Sequence, residues 1–187
     1  INKNGLWIKD IVNDQTNIIN SSKIDNNFLT NTFITTFDVK FNQDIPRKGE
    51  VLCKFAEFWF NTLDVSNHFI ERKSDSEIVV KKMQMLPIEC VVRGYFYGSL
   101  VNRWKNGEVT LPVGTDTTLA AKLPEPIFDP TTKSEHDLPI DKLKALELNL
   151  VTSKQFDWLK QTSIEIYKKM VDIVDDAGFI LADLKLE

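Results

Sequence analysis

The chain has 187 residues, 42% hydrophobic and 27% charged, long enough for one substantial core or two small lobes. Lys plus Arg total 23 against 27 for Asp plus Glu, a net charge of -4 that offers no broad basic surface, so small molecules rather than nucleic acid are the expected partners. The two cysteines, Cys53 and Cys90, have neither disulfide nor metal-ligand spacing, and no run reaches the length of a transmembrane helix, so a cytoplasmic, reducing setting with no membrane partner is expected.

Residues 1–45 are rich in Asn, Ile, Thr and Phe, with short extended runs such as "GLWIKDIV" and "NTFITTFDVKF" between polar turns, the pattern of an antiparallel sheet. After Pro46, Val51, Leu52, Phe55, Phe58, Trp59 and Leu63 recur at three- and four-residue spacing, which predicts an amphipathic helix whose aromatic stripe is core. "EIVVKKM", from Glu77, reads as a strand, and the chain passes through Met83 to Met85 into "MLPIECVVRGYFYGS", rich in residues that favour extended backbone. The expected division is an N-terminal lobe over 1–83 and a second lobe over 84–187. From Gly98 to Asp137 periodicity fades, apart from a helical turn around "SLVNRWKNG", and "KLPEPIFDPTTKSEHDLPI" is proline-rich enough to read as a long ordered or closing loop. A long helix follows: Thr152 and Gln155 form a capping box, Phe156, Leu159, Tyr167, Met170, Val171 and Val174 line one face, and Gly178 ends it. The last segment, "FILADLKLE", reads as a strand.

Two of these segments carry unexpected charge. In an extended chain Glu89, Val91, Arg93 and Tyr95 share one side and Ile88, Cys90 and Val92 the other. Glu89 and Arg93 therefore lie on one face about 13 Å apart, too far for an ion pair and about the length of a small phosphorylated metabolite. An ordinary strand with one wet face has the same pattern. In "LADLKLE", Asp183, Lys185 and Glu187 fall on one face at about 6.6 Å spacing, and two carboxylates flanking an ammonium suit Mg²⁺ and polyphosphate; an amphipathic strand with a solvated face is the alternative. "TTKSEHD" adds hydroxyls, Lys133, His136 and Asp137, either as ligand contacts or as a polar surface loop.

Taken together these segments resemble the SAICAR synthetase family. "MLPIECVVRGYFYGS" resembles the family's first signature, and "LADLKLE" resembles its second, which continues there with Phe-Gly. "LPEPIFDPTTKSEHD" is similar to its "PEPIF-x-P-x-TK" segment, and "TTFDV", "IPRKGEVL" and "FWF" match earlier landmarks in order, so the resemblance spans about residues 33–187. It implies an α+β fold: a two-lobed SAICAR synthase-like ATP-binding fold with an antiparallel sheet in the N-terminal lobe and a mixed sheet-helix second lobe. It implies ATP-dependent joining of 5-amino-1-(5-phosphoribosyl)imidazole-4-carboxylate, hereafter the ribotide, to L-aspartate in purine biosynthesis, through an acyl phosphate and with Mg²⁺.

Carried over residue by residue, the resemblance places Arg93 and Ser99 on the ribose phosphate, and Glu89 at the imidazole carboxylate directly or through Mg²⁺. Asp38 reaches the same end. Lys185 belongs near the transferred phosphate and carboxylate, with Glu89 and Asp183 as further catalytic candidates, Glu187 with the nucleotide's Mg²⁺, Lys82 and Met85 with adenine, and Lys133, His136 and Asp137 over the substrates. Tyr97, the Thr35-Thr36 pair and the stretch after Asp137 depart from the family pattern. No counterpart of the family's glycine-containing phosphate loop or of its downstream Asp-Glu and Ser-Arg segments occurs, so the chain is expected to be the central piece of a longer enzyme and inactive alone. A homo-oligomer is compatible with this reading. The competing readings are a noncatalytic nucleotide-binding or assembly module of the same fold, and a phosphotransferase.

Overall fold

The computed structural model describes residues 28–32, 37–38, 43–44, 46–134 and 137–187, with side chains from Pro46 onward. The chain divides into two compact units, Ile1–Met85 together with Glu187, and Leu86–Leu186.

In the first unit, strands β1 (Phe28–Thr32), β2 (Phe37–Asp38) and β3 (Gln43–Asp44) precede helix α1 (Lys48–Thr62), and β4 (Phe69–Arg72) and β5 (Glu77–Lys81) follow it. β5 is the middle strand of an antiparallel sheet, with β1 on one side in the register Phe28↔Lys81 to Thr32↔Glu77 and β4 on the other, while β2 and β3 pair separately. Alternation along β5 turns Ile78 and Val80 to one side, where Cys53, Ala56 and Phe60 of α1 and Phe69 of β4 close over them. Burial pushes the Cys53 thiol up to about 11, as expected of a small apolar filler rather than a nucleophile.

The aromatic stripe of α1 departs from expectation. Trp59 and Leu63 are buried, but Val51, Phe55 and Phe58 are 47%, 54% and 47% exposed. Hydrophobic residues occupy more than one face of this helix, and the sheet covers only the side that carries Cys53, Ala56 and Phe60.

The second unit is organised around β6 (Ile88–Tyr95), which pairs antiparallel with β7 (Lys122–Phe128) and β8 (Thr131–Thr132) along one edge and with β9 (Asp183–Leu186) along the other. The segment expected to be a loop therefore carries two strands. β7 is an edge strand, where Pro124 and Pro126 remove no obligatory ladder bond, and a register shift between Arg93 and Tyr95 absorbs the irregularity. Pro130 separates β7 from β8, yet Asp129 N–H still donates to the Val91 carbonyl at 2.8 Å, so the two behave as one interrupted strand along β6.

Helix α2 (Ser99–Lys105) follows β6, and Leu100 packs with Phe96 and Leu123. Its first residue is preceded by Gly98 at φ 63°, a left-handed conformation that favours glycine. Helix α3 (Lys142–Glu147) was not foreseen; Asp141 caps it by accepting from the Lys144 N–H. Helix α4 (Ser153–Asp176) has the expected capping box between Thr152 and Gln155, and it ends just before Gly178 at φ 77°.

α4 covers one face of the β6 sheet. Phe156 meets Phe128 edge-on at 5.7 Å, and the Tyr167 hydroxyl donates to the Leu181 carbonyl at 2.7 Å. Gly94 lies under that ring: a Cβ there would stand 1.7 Å from the Tyr167 hydroxyl, so only glycine fits. Burial, with the nearby Tyr95 and Asp183, pushes the Tyr167 phenol up to about 12. No helix among the described residues is long and apolar enough to cross a membrane.

Candidate active site

β6 is not a strand with a wet face. Ile88, Cys90 and Val92 are fully buried as alternation requires, but Glu89 on the opposite face is only 2% exposed and Val91 is buried too. The face carrying Glu89 and Arg93 is assembled from three strands. The ladders set Thr131 opposite Glu89, and Lys185 and Asp183 opposite Val91 and Arg93, while Asp129 is bonded to Val91 from the other edge.

At the Glu89 end, the carboxylate forms an ion pair with Lys185 and accepts a long hydrogen bond of 3.4 Å from the Thr131 hydroxyl. Lys185 also approaches Asp137 at 3.5 Å. Two carboxylates thus share one ammonium. Burying Glu89 is tolerable because an opposite charge meets it.

At the Arg93 end, Nε donates to Asp129 Oδ2 at 2.6 Å and Nη2 donates to Ser99 Oγ at 2.9 Å. The other oxygen of Asp129 accepts from Arg103 Nη1, also at 2.6 Å. Here two guanidiniums share one carboxylate, the converse of the first end. Glu89 and Arg93 are about 13 Å apart along the strand, and each has its own partners rather than the other.

The structure therefore brings Glu89, Lys185 and Asp137 together at one end and Arg93 and Ser99 together at the other. Asp183 is exposed, opposite Arg93, and makes no ion pair among the described residues. Lys133 is exposed just after β8, and its N–H donates to the Pro87 carbonyl at 3.1 Å. Lys82 is exposed and Met85 half-buried in the irregular stretch after β5, within the first unit. Glu187 is buried and also belongs to the first unit, after the last residue of β9. Asp38 lies in β2, with its side chain outside the described residues, and His136 is outside them altogether.

Sequence reasoning missed Asp129 and Arg103. Arg103 had a usable signal: it is four residues after Ser99 on a helix, hence on the same face. Asp129, between Phe128 and Pro130, reads as turn chemistry, and nothing local announces that it receives two arginines from 36 and 26 residues away.

Among the described residues no group of three or more His, Cys, Asp or Glu side chains converges as a metal cage. Glu89 and Asp137 around Lys185 nevertheless fit a magnesium ion that draws one or two carboxylates from the protein and its other ligands from phosphate and water.

The α+β architecture and antiparallel sheets are those of solved SAICAR synthases. A SAICAR synthase from Saccharomyces cerevisiae, solved in complex with SAICAR, superposes with a TM-score of 0.72 at 29% identity, covering 87% of this chain and 62% of that one. A Type-2 SAICAR synthetase in complex with ADP gives 0.71 at 25% identity, covering 87% and 68%. In sequence, the phosphoribosylaminoimidazole-succinocarboxamide synthase of Nitrosopumilus maritimus is 77% identical over 154 residues, which is 82% of this chain and 56% of that relative. The family model for SAICAR synthetase matches residues 24–187, and the chain belongs to that family. It spans just over half the length of the curated relatives it matches.

Proposed function

We propose that the whole protein joins the ribotide to L-aspartate with ATP, yielding SAICAR, ADP and phosphate in cytoplasmic de novo purine biosynthesis, and that the 187 residues alone do not turn over. Family membership supports the reaction class, and relatives solved with SAICAR and with ADP support product and nucleotide sites. The observation that carries the reading is the pair of charge clusters on one face of β6: Arg93 bonded to Ser99 at one end, Glu89 paired to Lys185 at the other. A ligand with a phosphate and a carboxylate at opposite ends matches that spacing. Arg93 and Ser99 take the phosphate, since a guanidinium and a hydroxyl suit its oxygens. Glu89 and Lys185 are assigned to the imidazole carboxylate.

A carboxylate is a poor acyl donor because oxide is a poor leaving group. In the first step a carboxylate oxygen attacks the γ-phosphorus of ATP and ADP departs, leaving an acyl phosphate. The aspartate amine then attacks the acyl carbon, phosphate leaves with its bonding electrons, and the new amide nitrogen gives up a proton. The Lys185 ammonium stabilises charge developing on the transferred phosphate, Asp183 stands at the same edge, and Lys133, His136 and Asp137 are assigned to aspartate. Glu89 would hold Mg²⁺ beside Asp137, and Glu187 is assigned separately to the nucleotide's Mg²⁺; bound metal would supply charge neutralisation of the polyphosphate. Lys82 and Met85 are assigned to adenine.

The test is Arg93→Lys in the enzyme expressed from its complete reading frame. Lysine keeps the charge and loses the fork, so ribotide affinity should fall roughly ten- to a hundredfold while the dephosphorylated riboside binds as before. Equal weakening of both would remove Arg93 from the phosphate and with it the two-ended ligand.

A further inference from the structure

The Arg93 end holds more cation than a structural salt bridge requires. Asp129 is buried, with its side chain 6% exposed, and each of its oxygens receives a different arginine at 2.6 Å, each arginine side chain being 16% exposed. Each arginine touches it through a single nitrogen rather than through both prongs of the fork. Arg93 spends Nε on Asp129 and Nη2 on Ser99, leaving Nη1 without an acceptor among the described residues; Arg103 spends only Nη1, leaving Nε and Nη2. Asp183, exposed across the ladder from Arg93, pairs with neither.

Among the described residues, two partly buried cations against one buried anion leave one positive charge uncompensated, with several directed N–H donors and the Ser99 hydroxyl around it. Like charges held this close repel, and Asp129 is what holds them. A phosphomonoester dianion supplies both the missing charge and the acceptors.

We propose that Arg103 is a second phosphate-binding residue and that Asp129 is the positioning residue that sets Arg93 and Arg103 as one anion receptor. This rests on the reading that the Arg93 end receives the ribotide phosphate. Arg103 reaches the site because α2 starts at Ser99 and returns the same face one turn later. Asp129 reaches it because the β7–β8 strand, interrupted at Pro130, keeps its register along β6 and turns Asp129 to the face of Arg93.

The experiment titrates ribotide and dephosphorylated riboside into the enzyme from its complete reading frame, as wild type, Arg93→Lys, Arg103→Gln, Arg103→Lys and Asp129→Asn. Arg103→Gln should weaken the ribotide about ten- to a hundredfold and leave the riboside unchanged, raising KM for the ribotide far more than it lowers kcat. Arg103→Lys should recover part of the loss. Asp129→Asn, which keeps the shape and removes the charge that gathers the guanidiniums, should also narrow the preference for ribotide over riboside. If Arg103→Gln leaves that preference intact, or weakens both ligands alike, the proposal is wrong. In that event a preference still lost in Arg93→Lys keeps the underlying phosphate reading, and a preference retained there too removes both. Should Asp129→Asn or Arg103→Gln not fold, Arg103→Lys decides: a ribotide-specific loss supports the proposal, and an unchanged preference overturns it.

Discussion

At the Glu89 end both faces of β6 are hidden from water, and they are made so by opposite means. On one, Cys90 and Val92 are fully buried beside Leu186 and Leu184 of β9 and under α4; on the other, Glu89 is 2% exposed and Lys185 meets its charge. Burial therefore does not separate framework from site in this sheet, whereas the chemistry of the covering group does. Hydrocarbon burial contributes about 25 cal/mol per Å² and depends on volume, so changes on the apolar face act through fit. A buried charge depends on the polar groups that meet it, so changes on the polar face act through electrostatics.

The sharpest way to break the comparison is Lys185→Met. It removes the cation from a buried carboxylate, and the expected loss is about 3–5 kcal/mol, read as a lower midpoint in denaturant unfolding at constant m-value. Adding Glu89→Gln should return much of that loss, since the uncompensated charge goes with it. A double variant no more stable than Lys185→Met alone would mean that Lys185 contributes through packing, and the two faces would then differ less than their chemistry suggests.

Gly94→Ala tests the apolar face with one methyl group and no change of charge. The new Cβ would lie 1.7 Å from the Tyr167 hydroxyl and 2.7 Å from Cζ, so the ring or the strand must shift, at a cost of about 1–3 kcal/mol. Combination with Tyr167→Phe should recover part of it, because the hydroxyl goes and Cζ remains. Unchanged stability in Gly94→Ala would show that the ring yields freely and that this face is looser than its burial implies.

The same contrast governs what could be read in advance. Period-two alternation placed Glu89 and Arg93 together on one face, and it placed Leu184 and Leu186 opposite Lys185, because strand geometry is local. The capping box of α4 was equally local. What escaped was non-local. Asp129 acquires its meaning from Arg93 and Arg103, and the pairing of Lys185 with Glu89 depends on the register of β9 against β6. Prolines that argued for a loop are accommodated on an edge strand, and edge position is a property of the sheet rather than of the segment. In α1, periodicity identified the helix but not which of its hydrophobic residues the sheet would cover, so Val51, Phe55 and Phe58 were assigned to the core and are exposed. The family resemblance implied Arg93 and Glu89 as ligand contacts but said nothing of Asp129, which bonds both arginines.

The smallest expected effect tests the same apolar face at Tyr167, a polar side chain that links α4 to the segment before β9. Its hydroxyl donates to the Leu181 carbonyl at 2.7 Å, and Tyr167→Phe should cost about 0.5–1.5 kcal/mol at neutral pH. Burial, aided by Tyr95 and Asp183, raises the phenol to about 12 in the folded protein, against its ordinary 10.0. Below pH 10 the group is neutral both folded and unfolded, so its contribution is fully present. Between 10 and 12 the unfolded chain releases the proton while the folded one keeps it, so the unfolded state binds fewer protons and stability falls as pH rises. Wild type should therefore lose stability more steeply than Tyr167→Phe across that window, with the two curves parallel below it. Parallel curves throughout would mean that the phenol ionises as easily in the folded protein as in the unfolded chain, and the face that holds Gly94 and Tyr167 would have to be open to water.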